Sequence, residues 1–153
     1  MLDGMRILEG SGVHPAGVSS LWETEPVGIP PGLPVLNAAI HAFTELSPPE
    51  VLVVCRQAEA AAGRRRGERE WRSLDLDILL CGSLRLATED LTLPHPRFHL
   101  RRFNLAPLEE IAPGVVHPVL LLTIRELLRR CADPAWARIS ERDWAAAVQR
   151  DRR

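Results

Sequence analysis

The chain contains no lysine and few cysteines, and both shortages limit what it can be. Because all 19 basic residues are arginine, every cationic site presents a guanidinium group, whose planar fork suits carboxylate and phosphate. The cysteines, Cys55, Cys81 and Cys131, are far apart and lie in no CxxC or Cys/His spacing. We therefore expect buried, free thiols in a reducing compartment, and neither zinc ligands nor disulfide partners.

Long apolar runs and a strong excess of positive charge are also absent. No run reaches the roughly 18 apolar residues of a membrane span, and the opening MLDGMRILEGSG lacks the charged and then apolar pattern of an export signal. A formal net charge of −1 excludes a globally basic nucleic-acid binder. At 153 residues, 46% of them hydrophobic, the chain can build one core. We expect a cytoplasmic protein, monomeric and without a nucleic-acid or membrane partner.

Turn residues and hydrophobic spacing predict a chain of mixed helices and strands. Ser47 and Glu50 form an S-x-x-E capping box. With proline directly after the cap, this pattern predicts a helix over 48–62 that ends at Gly63. Further helices are predicted at 1–10, 98–102, 106–111 and 122–131, and after a second cap at 140–143. Strands are predicted at 18–22, 35–43, 74–80 and 84–86, loops at 25–32 and 64–72, and a turn at 81–83.

Two aspartates, Asp75 and Asp77, are separated by a single residue in the predicted strand 74–80. Side chains alternate across a strand, so both carboxylates are expected on one face, about 6–7 Å apart, with apolar side chains on the other. Carboxylates this close repel each other unless water, arginine or a cation lies between them, and Mg²⁺ prefers such oxygen ligands. Taken alone, the pair is equally compatible with two solvent-facing aspartates on an amphipathic strand.

An arginine-rich segment precedes this pair. Residues 64–72, RRRGEREWR, hold five arginines against two glutamates. Guanidinium groups bind phosphate well, so arginines followed by paired aspartates are typical of a metal and polyphosphate site. The same run is compatible with a solvated loop, or with a small nucleic-acid patch in which Trp71 is the obvious base-stacking candidate.

A second polar cluster occupies residues 91–103, LTLPHPRFHLRRF. Prolines on both sides of His95 fix the backbone around it and favour a positioned side chain, although a rigid turn explains the prolines equally well. A metal site made by His95 and His99 would need a helix across Pro96, so we do not predict one.

Together these motifs resemble the 6-hydroxymethyl-7,8-dihydropterin pyrophosphokinase family of folate biosynthesis. The resemblance covers roughly residues 1–131, and its five segments occur in the family's order. They are ETEPVG at 23–28, LNAA at 36–39, SLDLDI at 73–78 after the Arg and Trp cluster, LPH at 93–95 and RRF at 101–103.

The resemblance implies a fold and a reaction. The fold would be α+β and ferredoxin-like, an antiparallel sheet packed with helices over residues 1–131, with 132–153 as a helical tail of unknown role. The reaction would transfer diphosphate from ATP to 6-hydroxymethyl-7,8-dihydropterin and release AMP, with two Mg²⁺ ions bound. The partners would therefore be two small molecules, ATP and a reduced pterin.

The resemblance also implies roles for the residues at matching positions. Asp75 and Asp77 would bind both metal ions and act in catalysis together with Arg64 and Arg72. The residues around ATP would be Glu59, Arg64, Arg66, Trp71, Arg72, Ile78, Thr92, His95 and Arg101. Those around the pterin would be Thr24, Val27 and Gly28, largely through backbone groups, Asn37 through its amide and Phe103 through its ring. From the residues alone, Asn37 is also compatible with a buried amide that is satisfied within the protein.

Three features depart from the family pattern. The family's opening strand and Gly-Ser-Asn-Leu loop have no counterpart, so we expect the chain to begin inside the first helix and the sheet to lack that strand. Trp71 directly precedes Arg72 without the usual Gly-Pro, which implies a shorter nucleotide loop. Val35 stands where the family has an aromatic residue, which implies one-sided stacking on the pterin. A non-catalytic pterin-binding or nucleotide-binding homologue is the alternative that these departures leave open.

Overall fold

The structure, a computed structural model, describes residues 1–25, 35–63 and 74–142 together with Trp144 and Ala146. The helices in this part of the chain are α1 (Leu2–Gly10), α2 (Pro48–Ala61), a 3-10 helix (Phe98–Leu100), α3 (Arg102–Ile111) and α4 (Ile124–Arg130). The strands are β1 (His14–Val18), β2 (Leu21–Thr24), β3 (Val35–Asn37), β4 (Ile40–Phe43), β5 (Leu86–Ala87), β6 (Thr92–Leu93) and β7 (Ala137–Glu141).

The described strands pair into three small antiparallel sheets. β1 pairs with β4, β2 lies between β3 and β7, and β5 pairs with β6. α1 packs on α2, and α3 packs on α4 while also contacting β2 and β3. The prediction of a mixed α and β chain with antiparallel pairing is therefore confirmed.

The strands predicted at 18–22 and 35–43 are not continuous, because the hairpin that they form is interrupted on both sides. The break falls at the buried Ser19 and Ser20 on one side and just before β4 on the other. The Ser19 N–H donates to the Ala39 carbonyl at 2.9 Å, and the Ala39 N–H donates to Ser19 Oγ at 2.9 Å. The serine hydroxyl takes the place of a ladder acceptor, so the buried Ala39 N–H is paired where the chain changes sheets.

Helices α1, α2 and α4 form close to their predicted positions, because their end signals are local. At α2, the Ser47 N–H and hydroxyl both donate to the Glu50 carboxylate, at 2.7 and 2.6 Å. Gly63 follows this helix with a φ of +91°, a conformation that suits glycine. α4 begins two residues later than predicted, behind a capping box formed by Thr123 and Glu126.

The two short helices predicted between Phe98 and Ile111 have different boundaries in the structure. A 3-10 helix comes first, and α3 then begins at Arg102 and continues through Pro107. A proline inside a helix removes one backbone hydrogen bond, at a cost of about 3 kcal/mol. Pro107 and Leu105 are both fully buried, so packing offsets the lost bond.

The strand predicted at 74–80 is wrong, since none of these residues pairs in a described β-ladder. Burial nevertheless alternates in its first half, where Leu74 is buried and both Asp75 and Asp77 are exposed. Hydrophobic patterning predicted which side chains turn inward, but a strand also needs a neighbouring backbone to pair with.

The return strand predicted at 84–86 is also wrong in its pairing. β5 pairs with β6, with Leu86 opposite Leu93, across a turn in which the Thr88 N–H donates to the Leu91 carbonyl at 2.9 Å. The turn predicted at 81–83 does form, and it has Gly82 at a φ of +53°.

The helix cap predicted at 140–143 is wrong, because Ser140 belongs to β7. β7 pairs with β2, and Arg138 on β7 donates to the Glu23 carboxylate at 2.9 and 2.7 Å. Residues 137–141 therefore extend the sheet that contains β2 and β3. Most of the predicted helix after this point falls on 143, 145 and 147–153, which lie outside the described residues.

Two apolar clusters form the core of the described chain. One is built around Phe98, Leu105 and Ile124, and the other around Leu8, Val54 and Cys55. The segment 74–80 contacts both clusters, with Leu76 and Ile78 on the second and Leu79 and Leu80 on the first. No described helix combines the length and apolar character needed to cross a membrane.

The three cysteines are all free thiols, as predicted, but they differ in burial. Cys55 is buried, Cys131 is partly buried and Cys81 is exposed in its turn. The expectation that all three are buried is therefore wrong for Cys81, which lies in an exposed turn, and holds only in part for Cys131.

We expect Leu121→Gly to stabilise the protein. Leu121 has a φ of +57° and is 72% exposed, so the substitution removes backbone strain and loses little packing. The left-handed conformation costs an ordinary residue about 1–2 kcal/mol, and the greater freedom of unfolded glycine offsets part of the gain. Urea unfolding should show that the free energy of unfolding of Leu121→Gly rises by up to about 1 kcal/mol. Leu120→Gly is the control and should lower the free energy of unfolding. An unchanged or lower stability of Leu121→Gly would contradict a strained, left-handed backbone at Leu121.

The cysteines should also differ in reactivity. Burial, and then the charges of Glu59 and Asp77, raise the pKa of the Cys55 thiol to about 11, so at pH 8 it stays protonated. With an aromatic disulfide reagent, Cys81 should react first and Cys55 only after unfolding. In Cys81→Ser the fastest phase should disappear. Fast labelling of Cys55 in the native protein would show that this part of the core is open.

Candidate active site

The two aspartates lie on the exposed side of segment 74–80. Both Asp75 and Asp77 face solvent, whereas Leu76 and Ile78 pack inward. The expected alternation thus holds without a β-ladder, and two carboxylates face outward from neighbouring exposed positions. Among the described residues, no group of three or more His, Cys, Asp or Glu side chains is arranged to hold a metal.

Glu59 holds this segment from helix α2. Its Oε1 accepts a hydrogen bond from the Leu76 N–H at 2.8 Å, which fixes the backbone between the two aspartates. Its charge and that of Asp77 contribute, after burial, to the raised pKa of Cys55, so both carboxylates lie near that sulfur. The resemblance places Glu59 beside a nucleotide; in the structure it contacts the backbone that carries the aspartates.

His95 is tied to the same segment from the other side. Its N–H donates to the Leu79 carbonyl at 2.9 Å, and its Nδ1 accepts from the Arg97 N–H at 3.3 Å. Because Nδ1 acts as an acceptor, the neutral ring carries its proton on Nε2. The His95 ring is therefore held by the hydrogen bond from the Arg97 N–H, in addition to the flanking prolines that restrict its backbone.

Thr92 and His95 both line an open cavity of about 410 Å³. Most of the other lining residues are apolar, but His99 and His117 also border the cavity. Burial, and then the nearby His99, lower the pKa of His117, which keeps that ring neutral at pH 7. Neither Asp75 nor Asp77 lines this cavity, so the cavity contains only part of the predicted metal and nucleotide site.

β2 and β3 bring two predicted pterin residues together. Asn37 Nδ2 donates to Thr24 Oγ1 at 2.7 Å, and that hydroxyl donates to the Val35 carbonyl at 3.3 Å. Thr24 is fully buried, so its hydroxyl orients the amide. One end of the Asn37 amide is thus satisfied within the protein, and Oδ1, at its other end, is turned away from Thr24.

The side chains of Trp22, Thr24 and Asn37 share one face of this sheet. Trp22 and Thr24 are two residues apart on β2, and Asn37 lies directly opposite Trp22. Trp22 Nε1 donates to Glu110 on α3 at 2.9 Å, so α3 covers this face. The predicted pterin residues of the hairpin therefore face α3.

Phe103 lies in the first turn of α3 and is partly buried. The Arg101 guanidinium carbon is 5.4 Å from the centroid of its ring, a cation–π contact. Arg101 therefore lies over one face of the Phe103 ring.

The sequence did not predict a polar cluster that lies midway along the hairpin, where β1 ends and β2 begins. Ser20 and Trp22 both donate to Glu110, which lies 90 residues after Ser20. The pair of serines that interrupts the apolar stretch GVSSLW was the available signal, just as Asn37 interrupts the next strand. Nothing in the sequence around Glu110 identifies it as their partner, because the contact depends on how α3 packs.

Six predicted site residues lie outside the described part of the chain. Their roles stay predictions: Val27, Gly28, Arg64, Arg66, Trp71 and Arg72.

Comparison with known proteins shows a family match over most of the chain. A family model described as 7,8-dihydro-6-hydroxymethylpterin-pyrophosphokinase matches residues 3–113. This match includes the hairpin, the aspartate pair, His95 and all of α3.

Named relatives agree with the family model. The 2-amino-4-hydroxy-6-hydroxymethyldihydropteridine pyrophosphokinase of Bacillus subtilis is 46% identical over 100 residues, covering 64% of this chain and 59% of that protein. The enzyme of the same name from Haemophilus influenzae is 39% identical over 125 residues, covering 80% of this chain and 77% of that protein. The mitochondrial folate synthesis bifunctional protein of Arabidopsis thaliana is 37% identical over 115 residues, covering 74% of this chain but 21% of that protein.

The matched part thus spans less than two thirds of the Bacillus and Arabidopsis relatives and about three quarters of the Haemophilus one. The family model covers well over half of this chain. The chain belongs to the 7,8-dihydro-6-hydroxymethylpterin pyrophosphokinase family.

Proposed function

We propose that this protein transfers diphosphate from ATP to 6-hydroxymethyl-7,8-dihydropterin, giving AMP and the pterin diphosphate, in folate biosynthesis. The observation that carries the proposal is the outward-facing pair Asp75 and Asp77, on a backbone that Glu59 fixes. Family membership favours an active enzyme over the non-catalytic homologue. The first relatives are longer than the matched region, so the activity is inferred from the site together with the family.

The aspartate pair fits two Mg²⁺ ions. Both side chains offer hard carboxylate oxygens from exposed positions, and Mg²⁺ is usually bound through one or two carboxylates, with water and substrate phosphate as its other ligands. When bound, the ions would neutralise the charge that builds up on the phosphates. The Glu59 contact keeps the backbone between the carboxylates in place, so little reorganisation is needed when charge develops.

The nucleotide would lie between the aspartates and the cavity at Thr92 and His95. His95 is held by its backbone and by Nδ1, so its Nε2 proton can be donated to a phosphate or ribose oxygen. Arg101 would add a guanidinium at the start of α3. The other nucleotide residues of the proposal are Glu59, Arg64, Arg66, Trp71, Arg72 and Ile78.

The pterin would lie between the hairpin and α3. Asn37 would accept from the N–H edge of the heterocycle through Oδ1, and Phe103 would stack on its flat face. Holding the ring in this way aligns its hydroxymethyl oxygen for attack on the phosphate, and phosphoryl transfer depends mainly on such positioning. Thr24, Val27 and Gly28 complete this part of the proposal.

We also propose a fold, domain limits and a cellular location for this protein. A ferredoxin-like plait is supported by the antiparallel pairs and by the alternating burial in the first half of segment 74–80. We propose residues 1–131 as the pyrophosphokinase domain and 132–153 as an extension that adds β7 to its sheet. The free thiols support a cytoplasmic location. ATP and the pterin would be its partners, and no nucleic acid or membrane is proposed.

Replacing either aspartate should abolish turnover. Asp75→Asn and Asp77→Asn each remove one anionic oxygen ligand while keeping the side-chain shape, so we expect AMP formation to fall at least about a hundredfold. Chromatography of AMP, after incubation with ATP, Mg²⁺ and the pterin, measures the change. Unaltered turnover in either variant would refute the metal role.

A matched control is Asp3→Asn, at an exposed aspartate on α1 that pairs with Arg6. Its turnover should equal that of the unchanged protein. Calorimetry with each substrate provides the second test, since tight binding of the pterin without AMP formation by the folded, unchanged protein would establish the non-catalytic alternative.

A further inference from the structure

Glu110 makes the polar joint between α3 and the beginning of β2. Its Oε1 accepts from the Ser20 N–H at 3.1 Å and from the Ser20 hydroxyl at 2.7 Å. Its Oε2 accepts from the same N–H at 3.1 Å and from Trp22 Nε1 at 2.9 Å. Three donors thus converge on one carboxylate, which holds both the backbone and a side chain of the hairpin.

The geometry favours the charged form of this carboxylate, since the Ser20 N–H and Trp22 Nε1 can only donate and the Ser20 hydroxyl is placed to donate as well. Burial raises the pKa of Glu110, but the bonds from Ser20 and Trp22 outweigh it and, with the charge of Arg142, lower the pKa. Glu110 is therefore ionised at neutral pH, and hydrogen bonds to a charged acceptor are stronger than neutral ones.

Glu110 and Phe103 lie on the same side of α3. They are seven residues apart, which is two helical turns or about 10 Å along the axis. Glu110 contacts Trp22, and Trp22 is the cross-strand neighbour of Asn37. The side of α3 that carries Phe103 is therefore the side joined to the hairpin face that carries Asn37 and Thr24.

We propose that Glu110 is a positioning residue, which sets the spacing between the Phe103 ring and the Thr24–Asn37 pair. It would thereby determine the affinity for a flat heterocycle that both stacks and hydrogen-bonds. The inference rests on the proposed function, in which that heterocycle is the reduced pterin. Glu110 itself contacts neither substrate; it acts through Ser20 and Trp22.

Glu110→Gln is the informative substitution because it changes charge and polarity but not size. An amide keeps only one acceptor oxygen and carries no charge. With its NH₂ at the Oε2 position, a donor faces Trp22 Nε1; with its NH₂ at the Oε1 position, the Ser20 N–H and Trp22 Nε1 must share the remaining oxygen and the Ser20 hydroxyl must turn to accept. The joint should loosen while the apolar packing of α3 is retained.

Steady-state kinetics should show a selective effect. In Glu110→Gln we expect KM for the pterin to rise roughly tenfold, while KM for ATP and kcat stay within about twofold. Calorimetric binding of the pterin should weaken by the same factor. A loss of folded protein would lower the apparent kcat and leave both KM values unchanged, so a rise in the pterin KM alone separates positioning from simple destabilisation.

Trp22→Phe provides a rescue. It removes the indole N–H, so the amide introduced by Glu110→Gln can place its oxygen at the Oε1 position, where the Ser20 N–H and hydroxyl both reach it, and its NH₂ at the Oε2 position, where no indole N–H opposes it. Adding Glu110→Gln to Trp22→Phe should then weaken pterin binding much less than it does in the unchanged protein. Equal losses in the two backgrounds would show that the two side chains are not coupled and would overturn the mechanism.

Glu109→Gln is the matched control on the same helix. Glu109 accepts from Arg125 Nε at 3.0 Å and so joins α3 to α4, away from the hairpin. The Glu109→Gln variant should bind the pterin as tightly as the unchanged protein does. If the unchanged protein binds the pterin and Glu110→Gln binds it equally well, this inference fails alone. If the unchanged protein binds no pterin, the proposed function fails and this inference fails with it.

Discussion

The bend of the long hairpin at Ser19 and Ser20 is the constraint on which the described architecture depends. Both serines are almost fully buried, so the polar groups at the bend must find partners without a regular ladder. Ser19 exchanges bonds with Ala39, Ser20 binds Glu110, and the Trp144 indole donates to the Ser19 carbonyl at 2.9 Å. The bend directs β2 and β3 to α3, and with them the residues proposed to bind the pterin.

The aspartate segment follows the same physical principle at a second place. Residues 74–80 lie in no described ladder, and bonds from a helix and a loop hold their backbone instead: Glu59 accepts from Leu76, and the Leu79 carbonyl accepts from His95. Apolar contacts with both core clusters keep the inner side chains in place. Two carboxylates can thus stay exposed, because their attachment to the protein uses the backbone and the opposite face.

Much of the site could be predicted because it depends on short motifs. The alternation at 74–78 predicted that Asp75 and Asp77 face outward, and the order of motifs predicted the family. The contacts that hold these residues could not be predicted in the same way. The bond that Glu59 accepts from the Leu76 N–H was not predicted, and the Ser20 and Glu110 contact joins residues 90 positions apart. Periodicity identifies a side chain's face but not the partner on that face.

The sequence by itself determined the features whose causes are local: the capped helix α2, the end of that helix at Gly63, and the inward and outward order around the aspartates. Only the tertiary structure decided that α3 continues through Pro107 and that Ser140 lies in a strand. Each of these depends on a free-energy contribution from distant residues, through burial of an apolar face or pairing with another strand, and such contributions are absent from any short stretch of sequence.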